Sequence, residues 1–261
     1  MNCDSSRLQP KRSTAHRIFA PTYNPNIHLL NSLMSTPLQS VAILDRLQQY
    51  LSRALASNAL SLTNSNEDGR LNSQENEKQL SDALRYFALS NDWFQQAGLS
   101  IEVSSARFWY DFAVHGPDLF LPVNIKVSTF RSQDNLSSKE GLFFALTGRD
   151  PKTLNINSWE NFCRELAQHL DCNTEHDYYF LAVSKATVGD VFWTSLKSLA
   201  DLRPNGSNPP YQCRWSNNRE RINRSSDEAA RFLLNALRES FALGARPLIS
   251  FNTHLQEIIE P

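Results

Sequence analysis

The stretch that most narrows the possible folds is residues 110–128, YDFAVHGPDLFLPVNIKVS. Two runs rich in aromatic and β-branched residues, Arg107–Val114 and Leu119–Ser128, flank His115-Gly116-Pro117-Asp118. Such runs favour strands, and a dense cluster of Gly, Pro and Asp between them favours a tight turn. The segment predicts a β-hairpin. With Pro117 and Asp118 at the turn, cross-strand partners have residue numbers that add to a constant, which places Asp111 opposite Asn124. Lys126, two residues further, then shares their face.

The flanking sequence is mixed. Val41, Leu44, Leu47, Leu51 and Leu55 have helical spacing, and Leu80, Leu84, Phe87, Phe94 and Leu99 outline a second helix ending near Gly98. Residues 61–76 read as a polar loop between them, and Ile101–Val103 as a strand. Beyond the hairpin, Gly141–Thr147 fits a short strand or a buried helix, and Trp159–Leu170 fits an amphipathic helix. Tyr178–Val183 is a continuous apolar run of the kind found in a strand covered on both faces. Asp190–Leu202 reads as helix, Arg203–Pro210 as loop and Asp227–Leu243 as the last helix. This order predicts an α/β (α+β) domain, a central mixed sheet with the hairpin in it and helices around it, over residues 37–261. Residues 1–36 lack apolar periodicity and read as a flexible tail, with Met34 as an alternative start. No apolar run approaches the roughly 18 to 20 residues of a spanning helix, and no signal peptide is evident, so the expected location is intracellular.

Several chemistries are excluded. The eight glycines include no G-x-G pair, so neither a dinucleotide fingerprint nor a phosphate-cradling P-loop is present. The four cysteines have no C-x-x-C spacing, and the six histidines make no H-E-x-x-H. With 26 basic and 27 acidic residues the net charge is −1, which gives no overall attraction for nucleic acid.

What remains is the hairpin. Opposed Cβ atoms in an antiparallel pair stand roughly 4.5 to 5.5 Å apart, so the Asp111 carboxylate, the Asn124 amide oxygen and the Lys126 ammonium share a small volume. Carboxylate and amide oxygens are hard ligands suited to Mg²⁺, which keeps open positions for water and phosphate oxygens. A lysine beside them orients or deprotonates an attacking water and offsets charge on a phosphorane-like transition state. A plain cross-strand ion pair between Asp111 and Lys126 is the competing account. Asp118 follows Pro117 but belongs to the turn and cannot face Asn124.

Asp111 followed by Asn124-Ile125-Lys126 resembles the motif of the PD-(D/E)xK nuclease superfamily, in particular its type II restriction endonucleases. Asn124 stands where the second acid is usual, and the same Asn-x-Lys variant occurs in some of those enzymes. The resemblance implies a restriction-endonuclease-like core and a Mg²⁺-dependent cut of double-stranded DNA leaving 5′-phosphate ends. It also implies a homodimer for palindromic sites, a cognate DNA methyltransferase encoded nearby and a bacterial cytoplasmic location. Family members often add an acid from a preceding helix, for which Glu77 and Asp82 are the candidates. A repair or nicking nuclease, a catalytically degenerate DNA-binding protein and a small-molecule hydrolase are the alternatives.

Residues 203–238 hold seven arginines against three acids and no lysine, a local net charge of +4. Residues 203–226 form the expected recognition segment. Within it Gln212, Arg214, Asn217, Asn218, Arg219, Arg221, Asn223 and Arg224 have the bidentate groups that read guanine and adenine edges, while Trp215 reads as a packing anchor. Ser132, Gln133, Asn135 and Lys139, just past Lys126, are candidates for contacts to the DNA backbone.

Overall fold

Five strands make the central sheet of this computed structural model, which describes residues 36–63, 69–136 and 138–259. They are β1 (Ser100–Val103), β2 (Phe112–Gly116), β3 (Leu119–Ser128), β5 (Tyr179–Ser184) and β6 (Val191–Ser195), in that spatial order. β2 and β3 form the expected hairpin, with Phe112 opposite Val123 and Gly116 opposite Leu119. β3 pairs in parallel with β5, and the other pairs are antiparallel, so the sheet is mixed. A further sheet joins β4 (Gln133–Leu136), β8 (Tyr211–Arg214) and β7 (Arg203–Pro204).

Alternation along β3 sorts its side chains between two cores. Leu121, Val123, Ile125 and Val127 meet Leu44, Leu47 and Leu51 of α1 (Thr36–Ala56) and Leu80 and Leu84 of α2 (Gly69–Ser90). The opposite face of the sheet, through Ala113, Phe180, Ala182 and Phe192, packs on α4 (Lys139–Thr147), α5 (Trp159–His169) and α6 (Ser226–Ile259). The short α3 (Asp92–Gln96) lies between α2 and β1. Every residue of β5 is buried, as expected for a strand covered on both faces.

Several local expectations change. Residues 69–76 are the first turns of α2, not loop, and Asn91 breaks the helix by capping α3, accepting from the N–H groups of Trp93 and Phe94. Arg107–Asp111 is loop, with β2 beginning at Phe112. Gly141–Thr147 belongs to a helix capped by Ser138 and closed by Gly148 at φ 65°. The predicted helix at Asp190–Leu202 is strand β6 followed by a 3₁₀ turn; a strand buried on both faces shows no alternation to betray it. Arg203–Pro204 is strand inside the expected loop, and α6 runs past Leu243 to Ile259. The expected tail and the alternative start at Met34 lie outside the described residues. Among the described residues no helix is long and apolar enough to cross a membrane.

Candidate active site

Asp111 stands one residue before β2, and its N–H donates to the Val123 carbonyl at 2.9 Å. This N–H bonds to the same Val123 that Phe112 faces, so the regular register ends at the Phe112–Val123 pair and Asp111 does not become the ladder partner of Asn124 that the turn predicts. The Asp111 carboxylate accepts the Ile125 N–H at 2.6 Å, so β3 itself orients it. A chain of contacts fixes the backbone just before it. The Tyr178 hydroxyl donates to the Trp109 carbonyl at 2.5 Å, and a Cβ on Gly141 of α4 would come within 2.7 Å of the Tyr178 ring. Gly141 therefore lets α4 sit close enough to pin Tyr178.

Burial is the main cause that raises the Asp111 carboxyl to about 6, against the opposing pull of the Ile125 N–H and of Lys126. Glu77 of α2 is raised to about 7, first by burial and then by the charge of Asp111; Lys126 and Lys185 pull it down and Asp134 pushes it up. Of the two helix acids, Glu77 thus shares the electrostatic neighbourhood of Asp111. Asp82 does not: it lies 3.5 Å from Arg85, both largely solvated, as an ordinary helix-surface pair. Lys126 donates to the Asn135 carbonyl at 3.3 Å, which ties β3 to β4.

Asn124 carries the most informative atom. Its Oδ1 is buried and, among the described residues, has no hydrogen-bond partner. A buried acceptor left unpaired costs roughly 1 to 3 kcal/mol, so it is expected to have a partner that is not part of this chain. With the Asp111 and Glu77 carboxyls, both raised by burial, this amide oxygen offers hard oxygen donors of the kind a divalent cation would take, the cation supplying positive charge they lack. Among the described residues no three His, Cys, Asp or Glu side chains group closely enough to hold a metal by themselves, so the amide oxygen, water and substrate oxygens would complete the shell.

Two hollows flank this centre. One, of about 230 Å³, is lined by Asn124, Lys126, Trp109, Ser138 and Glu140, and the other by Glu77, Asp111, Lys78 and Ser104. Lys185 and Asp134 belong to the electrostatic neighbourhood and were missed from sequence. They come from the end of β5 and from β4, and no spacing signal links them to the hairpin.

The expected base-reading residues are divided by the fold. Gln212 and Arg214 lie on β8, opposite Asn135 and Gln133 of β4, the strand that Lys126 touches. The Arg214 Nε is buried without a partner among the described residues. Ser132, Gln133 and Asn135 are exposed at this edge, Asn135 accepting from Asn205, whereas Lys139 donates to the Asn157 carbonyl at 2.7 Å. Most of the rest are engaged internally. Asn218 is fully buried, its amide bonded to Asp201 and to the Arg214 carbonyl, which removes it from any base-reading set. Asn217 donates to Asp201, and Arg219 pairs with Asp190 at 2.5 Å. Arg221 stacks on Trp193 with 3.8 Å to the ring centre, and Arg224 donates to the Lys197 and Leu199 carbonyls. Asn223 is exposed but lines, with Arg221, a separate hollow that contains neither Asn124 nor Lys126. Trp215 is fully buried and donates to Asp134 at 2.7 Å, a packing anchor as expected.

Compared with known proteins, the chain matches no family model and no curated protein.

Proposed function

We propose that this chain is a Mg²⁺-dependent endonuclease of double-stranded DNA, built on a restriction-endonuclease-like core, with Asp111, Asn124 and Lys126 at its centre and Glu77 as the additional acid. The observation that carries the reading is the buried Asn124 Oδ1, unpartnered among the described residues, on β3 immediately before the Ile125 N–H that holds the Asp111 carboxylate. Asp111, Asn124 and Glu77 would hold the metal. When bound, Mg²⁺ polarises a phosphate oxygen and acidifies water. Lys126 orients the attacking water and offsets charge growing on the phosphate oxygens. Gln212, Arg214, Gln133 and Asn135, at the β4–β8 edge, are the side chains best placed to meet DNA near the hairpin.

Cutting a palindromic site as a type II restriction enzyme makes two copies and a cognate methyltransferase part of this reading, with action in the bacterial cytoplasm. The internal engagement of Asn218, Arg219 and Arg224 favours another reading, a repair or nicking nuclease that reads fewer bases. Incubation of supercoiled plasmid with Mg²⁺, using the wild type and Lys126→Ala, tests both. Discrete linear fragments from the wild type alone support restriction, and nicked circles alone support the repair or nicking reading. Intact plasmid with both proteins rejects the enzyme.

A further inference from the structure

Between β1 and β2 the chain makes a loop, Ser104–Asp111, whose two ends are tied together. The Ser104 N–H donates to the Asp111 carbonyl at 3.0 Å, and the Ser104 hydroxyl to the Tyr110 carbonyl at 2.5 Å. One post of the loop is therefore the candidate metal-holding aspartate. Inside it, the Phe108 N–H donates to the Ser105 carbonyl at 3.2 Å, and the Phe108 ring meets Tyr110 edge-on, with 4.7 Å between centres. The Lys152 ammonium lies 4.8 Å from the centre of the same ring. Fastened at both sides, the loop presents Arg107 at its tip.

Arg107 has φ 65°, the left-handed region that glycine and asparagine occupy readily and an arginine rarely does. A long, charged side chain kept in that conformation indicates that the side chain is needed there. It is exposed, and among the described residues it forms no ion pair. It also borders both hollows, the one with Glu77 and Asp111 and the one with Asn124 and Lys126. A phosphodiester entering this centre meets two carboxyls that repel it, and Arg107 is the cation that borders both hollows, with Lys126 on one, Lys78 on the other and Lys185 near Glu77.

We propose that Arg107 is a substrate-binding residue whose guanidinium grips the non-bridging phosphate oxygens of the strand held at the centre, and this rests on the nuclease reading above. The planar fork of arginine bonds two phosphate oxygens at once, which fixes the strand's direction as well as attracting its charge. A lysine would supply the charge without the fork.

The test uses the full chain and a mixed-sequence duplex of about 30 base pairs, titrated without Mg²⁺ at salt from roughly 50 to 200 mM, together with plasmid cleavage in Mg²⁺. One lost phosphate contact lowers the log–log salt slope by about 0.9. Arg107→Ala is expected to show that loss and slower cleavage at saturating DNA. Arg107→Lys should recover the slope but not the cleavage rate. Arg107→Gly, relieved of the left-handed strain, should melt no lower than wild type and still bind like Arg107→Ala. If the wild type binds and cleaves and Arg107→Ala matches it in slope and rate, or if Arg107→Gly recovers wild-type binding, the role of Arg107 is overturned while the nuclease reading stands. A wild type that neither binds the duplex nor cuts the plasmid overturns both.

Discussion

Around Asp111 the polar groups exceed the partners the chain offers them, whereas from Asn217 to Arg224 nearly every polar group is matched to a protein acceptor. The Asp111 region keeps two carboxyls pushed upward by burial and, among the described residues, an unpartnered amide oxygen and an arginine without an ion pair. The 217–224 segment has more of a binding surface's composition, yet its amides and guanidiniums bond to Asp190, Asp201 and main-chain carbonyls. Composition reports which groups are present; only their pairing shows which remain available to a ligand. An unmatched cluster costs stability, and proteins retain such clusters where a ligand repays it.

The contrast can be broken by substitutions on either side. The largest effect is expected at Lys126→Ala and Asp111→Asn, which should slow plasmid cleavage by about 10²- to 10⁴-fold with no fall in melting temperature. Asparagine at 111 can still accept the Ile125 N–H, so the hairpin should survive and only the charge is lost. Asn218→Ala should do the reverse. Removing a fully buried amide with bonds to Asp201 and Arg214 should cost roughly 2 to 4 kcal/mol in urea unfolding, with cleavage per folded molecule unchanged.

Glu77→Gln separates stability from function. A carboxyl raised from 4.5 to about 7 binds its proton more tightly in the folded chain, so the metal-free protein loses stability as pH rises through that window. Glutamine cannot titrate; at pH about 8 the metal-free variant should be more stable than wild type by about 1 to 3 kcal/mol, at roughly 1.4 kcal/mol per unit, while cleaving more slowly. Thermal melts across pH would show a sloping curve for wild type and a flatter one for the variant. The smallest effect is expected at Arg219→Ala, whose partly solvated pair with Asp190 should be worth less than about 1 kcal/mol, with the duplex salt slope unchanged. A lower slope there would return Arg219 to the DNA surface.

The hairpin was legible because three local rules agree on it: period-two runs, a turn cluster and a register fixed by that turn, which holds as far as the Phe112–Val123 pair and stops just before Asp111. The helix α1 and the doubly buried β5 were readable from their apolar spacing. β6 was not, because Val191-Phe192-Trp193-Thr194-Ser195 is buried throughout and bears no alternation. The start of α2 was hidden by its polar residues up to Asn76, whose side chain is held by the Thr63 backbone and leaves no apolar period to read. At the site, Glu77 could be named as one of two helix acids, but choosing it over Asp82 needed the docking of α2 on the sheet. Asp134, Lys185 and Arg107 were missed for a related reason, since tertiary proximity and a left-handed backbone leave no mark in spacing.

The parallel pairing of β3 with β5 has a consequence for the order in which the molecule assembles. Asp111, Asn124 and Lys126 lie on the two arms of a hairpin joined by a two-residue turn, which closes within about 10 μs. Asn124 and Lys126 are braced on their other side by Phe180 and Ala182, which the ribosome makes only after α4 and α5, and Tyr178, the clamp on Trp109, arrives with them. Such long-range pairing forms late, because the intervening chain must first be ordered. On the nuclease reading, a nascent chain that already carries every reactive side chain still lacks the wall that holds them in place, so a chain able to cut DNA stays inert until most of it has been synthesised.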